Sequence, residues 1–374
     1  MAASFSGILV TVIVLGILIA IHEAGHFLAA KSLHIPVRQF AIGFGSRVVG
    51  FRWGETECRL NWIPLGGYCA FADDQEPEPV EGIAEEPPPP EALLRNRPIW
   101  QRTWVVSAGV IFNFVSAWLI LFGSNLGLGI PTGHQVISVK AVTPNTPAAK
   151  AGLLPGDRFL TLGGKPVEQF EGFRAYLQTH KGKTIPVEVQ RDGKAVLLSA
   201  VPDADGRLGF RPSLQGERRP AEGLGEVVRS ATDQQIKFTV MLSQALWGLV
   251  SAPSEKMDQI GGPVAVVAMG DQVYQGDPWL LLEFAVILSI ELAIFNLLPL
   301  PALDGGHLVL LAIEKVRRRP LPRAVEERIL VAGFVLIMGL GMMLILKDIF
   351  SLPAMYGPAP TPGPSAPSSP PPVR

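Results

Sequence analysis

Charge and cysteine are both scarce in this sequence. Only 17% of its 374 residues are charged, where about 25% is usual for a soluble domain, and this shortfall argues against an ordinary cytosolic enzyme. Two cysteines are too few for a disulfide scaffold. The net charge of −1 gives no general attraction to nucleic acid, so we expect no nucleic-acid partner. With 48% hydrophobic residues, the chain is not disordered as a whole.

Charge is also missing from long continuous stretches that are rich in apolar residues. No Asp, Glu, Lys or Arg occurs in residues 1–21, 103–139 or 329–346. A membrane-spanning helix needs about 20 apolar residues. No Lys or Arg precedes the first stretch, which is the wrong order for a cleavable signal peptide, so we expect it to be retained. We therefore predict a multi-pass α-helical membrane protein with four transmembrane helices, at residues 1–30, 104–126, 280–304 and 328–350.

Lys and Arg are concentrated in two of the segments that join these helices. They are frequent in residues 31–103 and between the third and fourth helices, and such loops lie on the cytoplasmic side of a membrane. The N-terminus and residues 127–279 are then predicted to lie outside. The acidic, proline-rich residues 73–91 are expected to form a linker, and residues 351–374 a disordered tail.

Two β-rich parts are predicted between the helices. Residues 40–71 have aromatic and β-branched residues and a turn signal at Trp53–Thr56, which favours a membrane-associated β-hairpin, with a hairpin in the cytoplasm as the alternative. Residues 127–215 contain short strands and a helix near residues 171–179, which predicts one inserted α+β domain. Residues 216–279 are predicted to form an amphipathic, interfacial segment.

The stretch Pro147–Leu162 resembles the corresponding part of PDZ domains. Such domains bind extended chain ends by adding a strand to a sheet edge. A peptide or protein ligand for this domain is therefore expected, and a spacer domain without a ligand is the alternative.

His22, Glu23 and His26 form an H-E-x-x-H motif near the end of the first predicted helix. Residues i and i+4 share one helix face, so both imidazoles can bind one metal ion while Glu23 takes a proton from water. Ionisable residues inside a membrane are costly and usually functional. The alternative is a pair of interfacial histidines facing lipid headgroups.

A catalytic zinc site needs a third protein ligand. The third predicted helix ends in the sequence Asn296–Asp304, and its position in the chain brings Asp304 to the same depth as the histidines. Asp304 is therefore the predicted third ligand, with His307 as a competitor and a helix-capping role as the alternative. Pro299 and Pro301 should break the helix here and free backbone carbonyls.

These motifs together resemble the site-2 protease family of intramembrane zinc metalloproteases, of the bacterial regulator-of-sigma-E type. The resemblance covers about residues 1–350. It implies a bacterial inner-membrane protease that holds Zn²⁺ with His22, His26 and Asp304, uses Glu23 as its catalytic base and cleaves single-pass membrane proteins. It also implies substrate-binding roles for a further set of residues, which are Asn113, Asn296, Pro299 and Pro301.

The chain departs from the family pattern in two places. Gly109-Val110 stands where the family has Gly-Pro, and one PDZ domain is visible rather than two. Gly261–Pro263 is similar to a motif ahead of the third helix but equally to a plain turn. Cys58 and Cys69 are assigned neither a disulfide nor a metal.

The expected mechanism requires the substrate helix to unwind and lie extended beside the metal. We expect it to pair with the hairpin along Val48–Trp53 and Glu57–Ile63, and the PDZ domain to gate access from the outer side.

Two alternative functions remain. A metal transporter would use the same His and Asp side chains but lacks the expected internal repeats, and a non-catalytic PDZ scaffold anchored in the bilayer needs no Glu23.

Overall fold

The computed structural model describes residues 4–72, 88–251, 261–276 and 279–356. Most of the predicted linker at 73–91 and most of the predicted tail lie outside these ranges. The chain divides into two compact units, which we call the membrane unit (residues 1–121 and 232–374) and the PDZ-like unit (residues 122–231). Both divisions fall inside helices.

The described helices and strands follow one another in this order along the chain. The helices are α1 (Phe5–Ser32), α2 (Ile99–Leu128), α3 (Pro147–Lys150), α4 (Phe170–Thr179), α5 (Leu224–Ser251), α6 (Pro263–Gly276), α7 (Leu280–Asn296), α8 (Asp304–Arg317) and α9 (Arg323–Tyr356). The strands are β1 (Val37–Trp53), β2 (Thr56–Phe71), β3 (Ile130–Val142), β4 (Arg158–Leu162), β5 (Lys165–Pro166), β6 (Ile185–Arg191), β7 (Lys194–Ala200) and β8 (Phe210–Arg219).

Among the described residues, three helices are long and apolar enough to cross a membrane. They are α1, α2 and the part of α9 up to Ser351. The fourth predicted span, at 280–304, forms the 17-residue helix α7 followed by a non-helical segment. At 1.5 Å per residue α7 is about 25 Å long, slightly shorter than a hydrocarbon core of about 30 Å. The structure therefore supports three spans by length, and α7 is a shorter, largely buried helix.

Helix α6, which lies within the segment predicted at 216–279, packs against α1, α7 and α9. Two buried carboxylates hold it in place. Asp348 of α9 accepts hydrogen bonds from the N–H groups of Gly262 and Ala265, at 3.0 and 2.9 Å. Asp271 of α6 accepts from the N–H of Ser4 at the start of α1, at 3.2 Å. Each carboxylate thus satisfies free N–H groups at the beginning of a neighbouring helix.

Strands β1 and β2 form a hairpin with its turn at residues 54–55, as the sequence predicts. Its pairing is more complex than a simple ladder. Residues 37–42 pair with residues 67–71 and also with residues 57–60, while residues 47–53 pair with residues 56–61. In this pairing, residues 67–71 have a strand partner on one side, so they form an edge. Within the hairpin, Arg59 and Arg47 hydrogen bond to the buried Glu57 and lower the pKa of its carboxyl.

The PDZ-like unit contains a sheet in the strand order β7-β6-β4-β3-β8, with β5 paired to β4. Its core is formed by apolar side chains from the sheet and from α4, including Ile137, Phe159 and Phe173. The sheet extends beyond the predicted domain end at residue 215, because β8 continues to Arg219 and pairs there with Ile130 of β3.

Candidate metal centre and active site

The two histidines of α1 present their Nε2 atoms to a common point. Both are nearly buried, at 7% and 8% exposure, and their Nε2 atoms are 3.3 Å apart. Asp304 completes the group: its Oδ2 lies 3.3 Å from Nε2 of His22 and 3.4 Å from Nε2 of His26. The structure thus brings together the three side chains that the sequence predicts as ligands.

The chain reaches Asp304 through a tight, irregular turn after α7. The helix ends at Asn296, and Ala302 takes a left-handed conformation with φ of 71° immediately before α8 begins at Asp304. Gly305 is required at the next position, because a Cβ there would collide with the carbonyl oxygens of Leu297 and Leu298. A non-glycine residue at positive φ costs on the order of 1–2 kcal/mol, and such strain is common at functional sites.

The other nitrogen of each imidazole faces α2. Nδ1 of His26 lies 2.8 Å from the carbonyl oxygen of Val105, and Nδ1 of His22 lies 3.2 Å from the side-chain nitrogen of Asn113. Two glycines permit this close approach. A Cβ at Gly25 would collide with α2 at Ala108, and one at Gly109 would collide with both imidazoles. The helix pair α1–α2 therefore fixes both rings from behind.

The chemistry of this group fits a zinc ion. Its three potential ligand atoms lie within 4.8 Å of one another, and two nitrogens and one carboxylate oxygen are a usual catalytic donor set. Asp304 Oδ2 is buried and accepts no hydrogen bond from the described part of the chain. A buried carboxylate oxygen without such a partner is expensive unless a cation neutralises it.

Glu23 and the three potential ligands line a cavity of about 480 Å³. The hairpin edge borders the same cavity through Gly67, Tyr68, Cys69 and Phe71. This edge lies very close to Glu23, since a Cβ at Gly67 would come within 2.9 Å of Cγ of Glu23. An extended peptide at this edge would therefore lie beside the potential base.

The remaining predicted site residues occupy different environments. Asn296 lines the cavity, and its amide donates to the carbonyl oxygen of Leu292 at 3.0 Å. Asn113 is fully buried and is not among the residues that line the cavity. Pro299 and Pro301 do not line the cavity either; they end α7, and Pro301 packs against α9 where Gly333 leaves space.

His307, the competing ligand, lies on the cavity wall, but the metal-binding group that the described residues form contains Asp304 in its place. Neither cysteine is in a disulfide, and Cys69 lines the cavity.

Sequence reasoning missed several residues that shape the site. Gly109 was noted only as a departure from the family pattern, yet it lies directly against both imidazoles. The ion pair between Arg102 and Glu314, at 2.8 Å, also borders the cavity and joins α2 to α8. The available signal for Gly109 was a glycine inside a helix of otherwise bulky apolar residues. The ion pair between Arg102 and Glu314 depends on the positions of two distant helices and has no signal in the local sequence.

Known proteins resemble this chain over most of its length. The model of peptidase family M50 matches residues 10–340. The predicted zinc metalloprotease all3971 of Nostoc sp. (strain PCC 7120) is 36% identical over 92% of this chain and 96% of its own length. The chloroplastic membrane metalloprotease ARASP of Arabidopsis thaliana is 34% identical over 93% of this chain and 80% of its own.

A solved PDZ domain of an SdrC-like protein from Listeria monocytogenes covers 20% of this chain at 22% identity, with a TM-score of 0.19. The family match and the two relatives cover nearly the whole chain. This chain therefore belongs to peptidase family M50, the site-2 protease family, and is a membrane zinc metalloprotease.

Proposed function

We propose that this chain is an intramembrane protease of the regulator-of-sigma-E type, which hydrolyses peptide bonds within the transmembrane segments of single-pass membrane proteins. The observation that carries the proposal is the meeting of His22, His26 and Asp304 beside Glu23 in one cavity, with the histidines on a helix able to span a membrane. Anti-sigma factors and signal-peptide remnants are the substrates that this type implies.

In this proposal His22, His26 and Asp304 hold the zinc ion. When bound, zinc supplies Lewis-acid polarisation of the scissile carbonyl. The side-chain carboxylate of Glu23 accepts a proton from the attacking water and then donates it to the leaving amine. Glu23 lies on the cavity wall with both histidines. Its carboxylate therefore has access to a bound peptide.

Substrate binding is proposed to occur by strand addition at residues 67–71. A transmembrane helix must unwind before cleavage, which exposes its backbone N–H and C=O groups, and a strand edge satisfies them again. The stretches that the sequence favours for pairing with substrate, Val48–Trp53 and Glu57–Ile63, pair with each other and with residues 39–42, whereas residues 67–69 and 71 line the cavity. Asn296, on the same wall, is positioned to bind freed backbone groups.

Membrane topology completes the proposal. The family match and the three candidate spans support a membrane location. We further propose that α7 crosses the membrane as a fourth span, with the active site near the cytoplasmic face of a bacterial inner membrane. The N-terminus and the PDZ-like unit would lie outside, where that unit would bind a peptide or protein ligand and restrict access.

Cleavage by the purified full chain in liposomes, with a single-pass membrane protein as substrate, tests this function. Glu23→Gln removes the base but keeps both imidazoles, and loss of a general base should slow cleavage by about 10²–10⁴-fold. Glu291→Gln is the matched control, because Glu291 is also in a membrane-unit helix but does not line the cavity. Cleavage by Glu23→Gln at the wild-type rate would refute the proposal. Zinc flux without cleavage would identify a transporter.

A further inference from the structure

Asn113 is the polar side chain of α2 that lies behind the metal ligand His22. It is 0% exposed, and its side-chain nitrogen is 3.2 Å from Nδ1 of His22. Its backbone carbonyl accepts hydrogen bonds from the hydroxyls of Ser116 and Ser289, both at 2.9 Å. The bond from Ser289 ties the backbone of α2 at Asn113 to α7, and the side chain of Asn113 is enclosed beside His22.

The neighbouring ligand His26 shows which partner the Nδ1 atom of a metal-binding imidazole needs. Its Nδ1 faces the backbone carbonyl of Val105 at 2.8 Å, and a carbonyl oxygen can only accept. Nδ1 therefore carries the proton in a neutral ring, and Nε2 is left with a lone pair directed at Asp304. Backbone structure alone sets this tautomer, so no side-chain substitution can remove it directly.

The same tautomer is needed at His22 for its Nε2 to bind zinc. Nδ1 must then carry the proton and requires an acceptor. The Asn113 amide has one, Oδ1, which is buried without a hydrogen-bond partner among the described residues. A half-turn of the amide exchanges its nitrogen and oxygen at the position facing His22. Either orientation pairs one amide atom with the ring, and only the orientation with oxygen forward leaves Nε2 free.

We propose that Asn113 is the positioning residue of His22, whose amide oxygen accepts the Nδ1–H and holds the ring in the zinc-binding tautomer. The inference rests on the proposed ligand role of His22. It replaces the substrate-binding role that the sequence implied for Asn113. Under this proposal a side chain of α2, that of Asn113, affects the zinc affinity through His22. The corresponding partner of His26 is the backbone carbonyl of Val105.

Competition with a zinc chelator of known affinity tests the proposal on the full-length protein in detergent. Loss of a hydrogen-bond partner behind a zinc-bound histidine typically weakens metal binding by about 10–100-fold. Asn113→Leu, which has a similar shape and no acceptor, should show this loss. Asn113→Asp keeps an acceptor and should bind zinc at least as tightly as the wild type. The d–d absorption of the Co²⁺-loaded protein should change in the Leu variant and be preserved in the Asp variant.

Asn125→Leu is the matched control, since Asn125 is a buried asparagine on the same helix. It should retain wild-type zinc affinity. The proposal is overturned if Asn113→Leu binds zinc as tightly as the wild type, or if folded Asn113→Asp binds it weakly. If the Leu variant does not fold, the Asp variant alone decides, because a role as donor to Nδ1 requires the Asp variant to lose zinc. Absence of zinc from the wild type would instead refute the ligand assignment.

Discussion

Two aspartates, Asp157 in the PDZ-like unit and Asp304 in the membrane unit, differ in the partners of their carboxylates. In the PDZ-like unit, Asp157 accepts hydrogen bonds from Nε and Nη2 of Arg191, both at 2.7 Å, and from the N–H of Leu154 at 2.8 Å. In the membrane unit, Oδ2 of Asp304 faces two imidazoles and accepts no hydrogen bond from the described residues. A carboxylate whose oxygens all accept hydrogen bonds stabilises the fold, whereas one that converges with two imidazoles and accepts no hydrogen bond suits a metal ion.

The largest expected effect comes from filling the space at Gly109, which lies against Nε2 of His26 and Cε1 of His22. Gly109→Ala places a Cβ against both rings, and the rigid α1–α2 contact prevents them from moving aside. Zinc affinity should fall by about 100-fold, the upper end of the effects seen for changes beside metal ligands. Chelator competition measures it. Gly16→Ala on α1, where a Cβ meets nothing within 4 Å, should leave zinc affinity unchanged. Equal zinc affinity in the two variants would show that Gly109 does not limit the site.

Removing the paired carboxylate should affect folding and leave metal binding intact. Asp157→Asn deletes the charge that Arg191 meets, and the expected cost is about 1–3 kcal/mol in the free energy of unfolding of the PDZ-like unit. Denaturant unfolding of the full chain measures this value, with Asp192→Asn as the control at the adjacent position. Zinc content should equal that of the wild type. A loss of zinc in Asp157→Asn would contradict the separation of the two roles.

The contribution of the Asp157–Arg191 pair to stability should also depend on pH. Burial alone would raise the pKa of Asp157, but its hydrogen bonds from Arg191 and Leu154 outweigh burial and lower it below the usual 3.8. Because the folded pKa is the lower one, the stabilisation is complete above about pH 4 and is lost as the pH falls through the folded pKa. Unfolding followed between pH 5 and pH 2 should therefore show a steeper loss of stability in the wild type than in Asp157→Asn. Parallel curves would mean that the pair does not contribute.

The smallest expected effect concerns a fully paired carboxylate inside the membrane unit. Asp348 accepts from two N–H groups at the start of α6, so the comparison predicts a structural role for it. Asp348→Leu should lower the thermal stability by the equivalent of about 0.5–2 kcal/mol, the usual value of a helix cap. Asp348→Asn keeps one acceptor and should lose less. Neither variant should change zinc affinity, and a change in either would place Asp348 among the residues that maintain the site.

Much of this arrangement could be predicted from local sequence. The i, i+4 spacing of His22 and His26 fixes their shared face. Strand β4 falls on the predicted residues 158–162 because Gly156-Asp157 precede it and Gly163-Gly164 follow it. Asp304 was found from its predicted depth in the membrane. These features depend on residues that are close in the sequence or on depth in the membrane alone.

The features that were missed depend on contacts between distant elements. The buried position of Asn113 follows from the packing of α2 against α1 and α7, and a motif gives no information on which way an asparagine faces. The pairing of residues 67–71 beside the cavity depends on a register that shifts repeatedly along the hairpin. Helix α6 has 14 residues, too few to cross a membrane, so its sequence provided no reason to place it against α1, α7 and α9.

The central claim is that His22, His26 and Asp304 hold the catalytic zinc. Zinc K-edge X-ray absorption of the purified full chain tests it most directly. The account predicts nitrogen and oxygen ligands at about 2.0–2.2 Å with the scattering pattern of two imidazoles, reduced to one imidazole in His22→Ala. A sulfur ligand at about 2.3 Å, from a cysteine such as Cys69 on the cavity wall, would contradict it. So would an unchanged imidazole signal in His22→Ala.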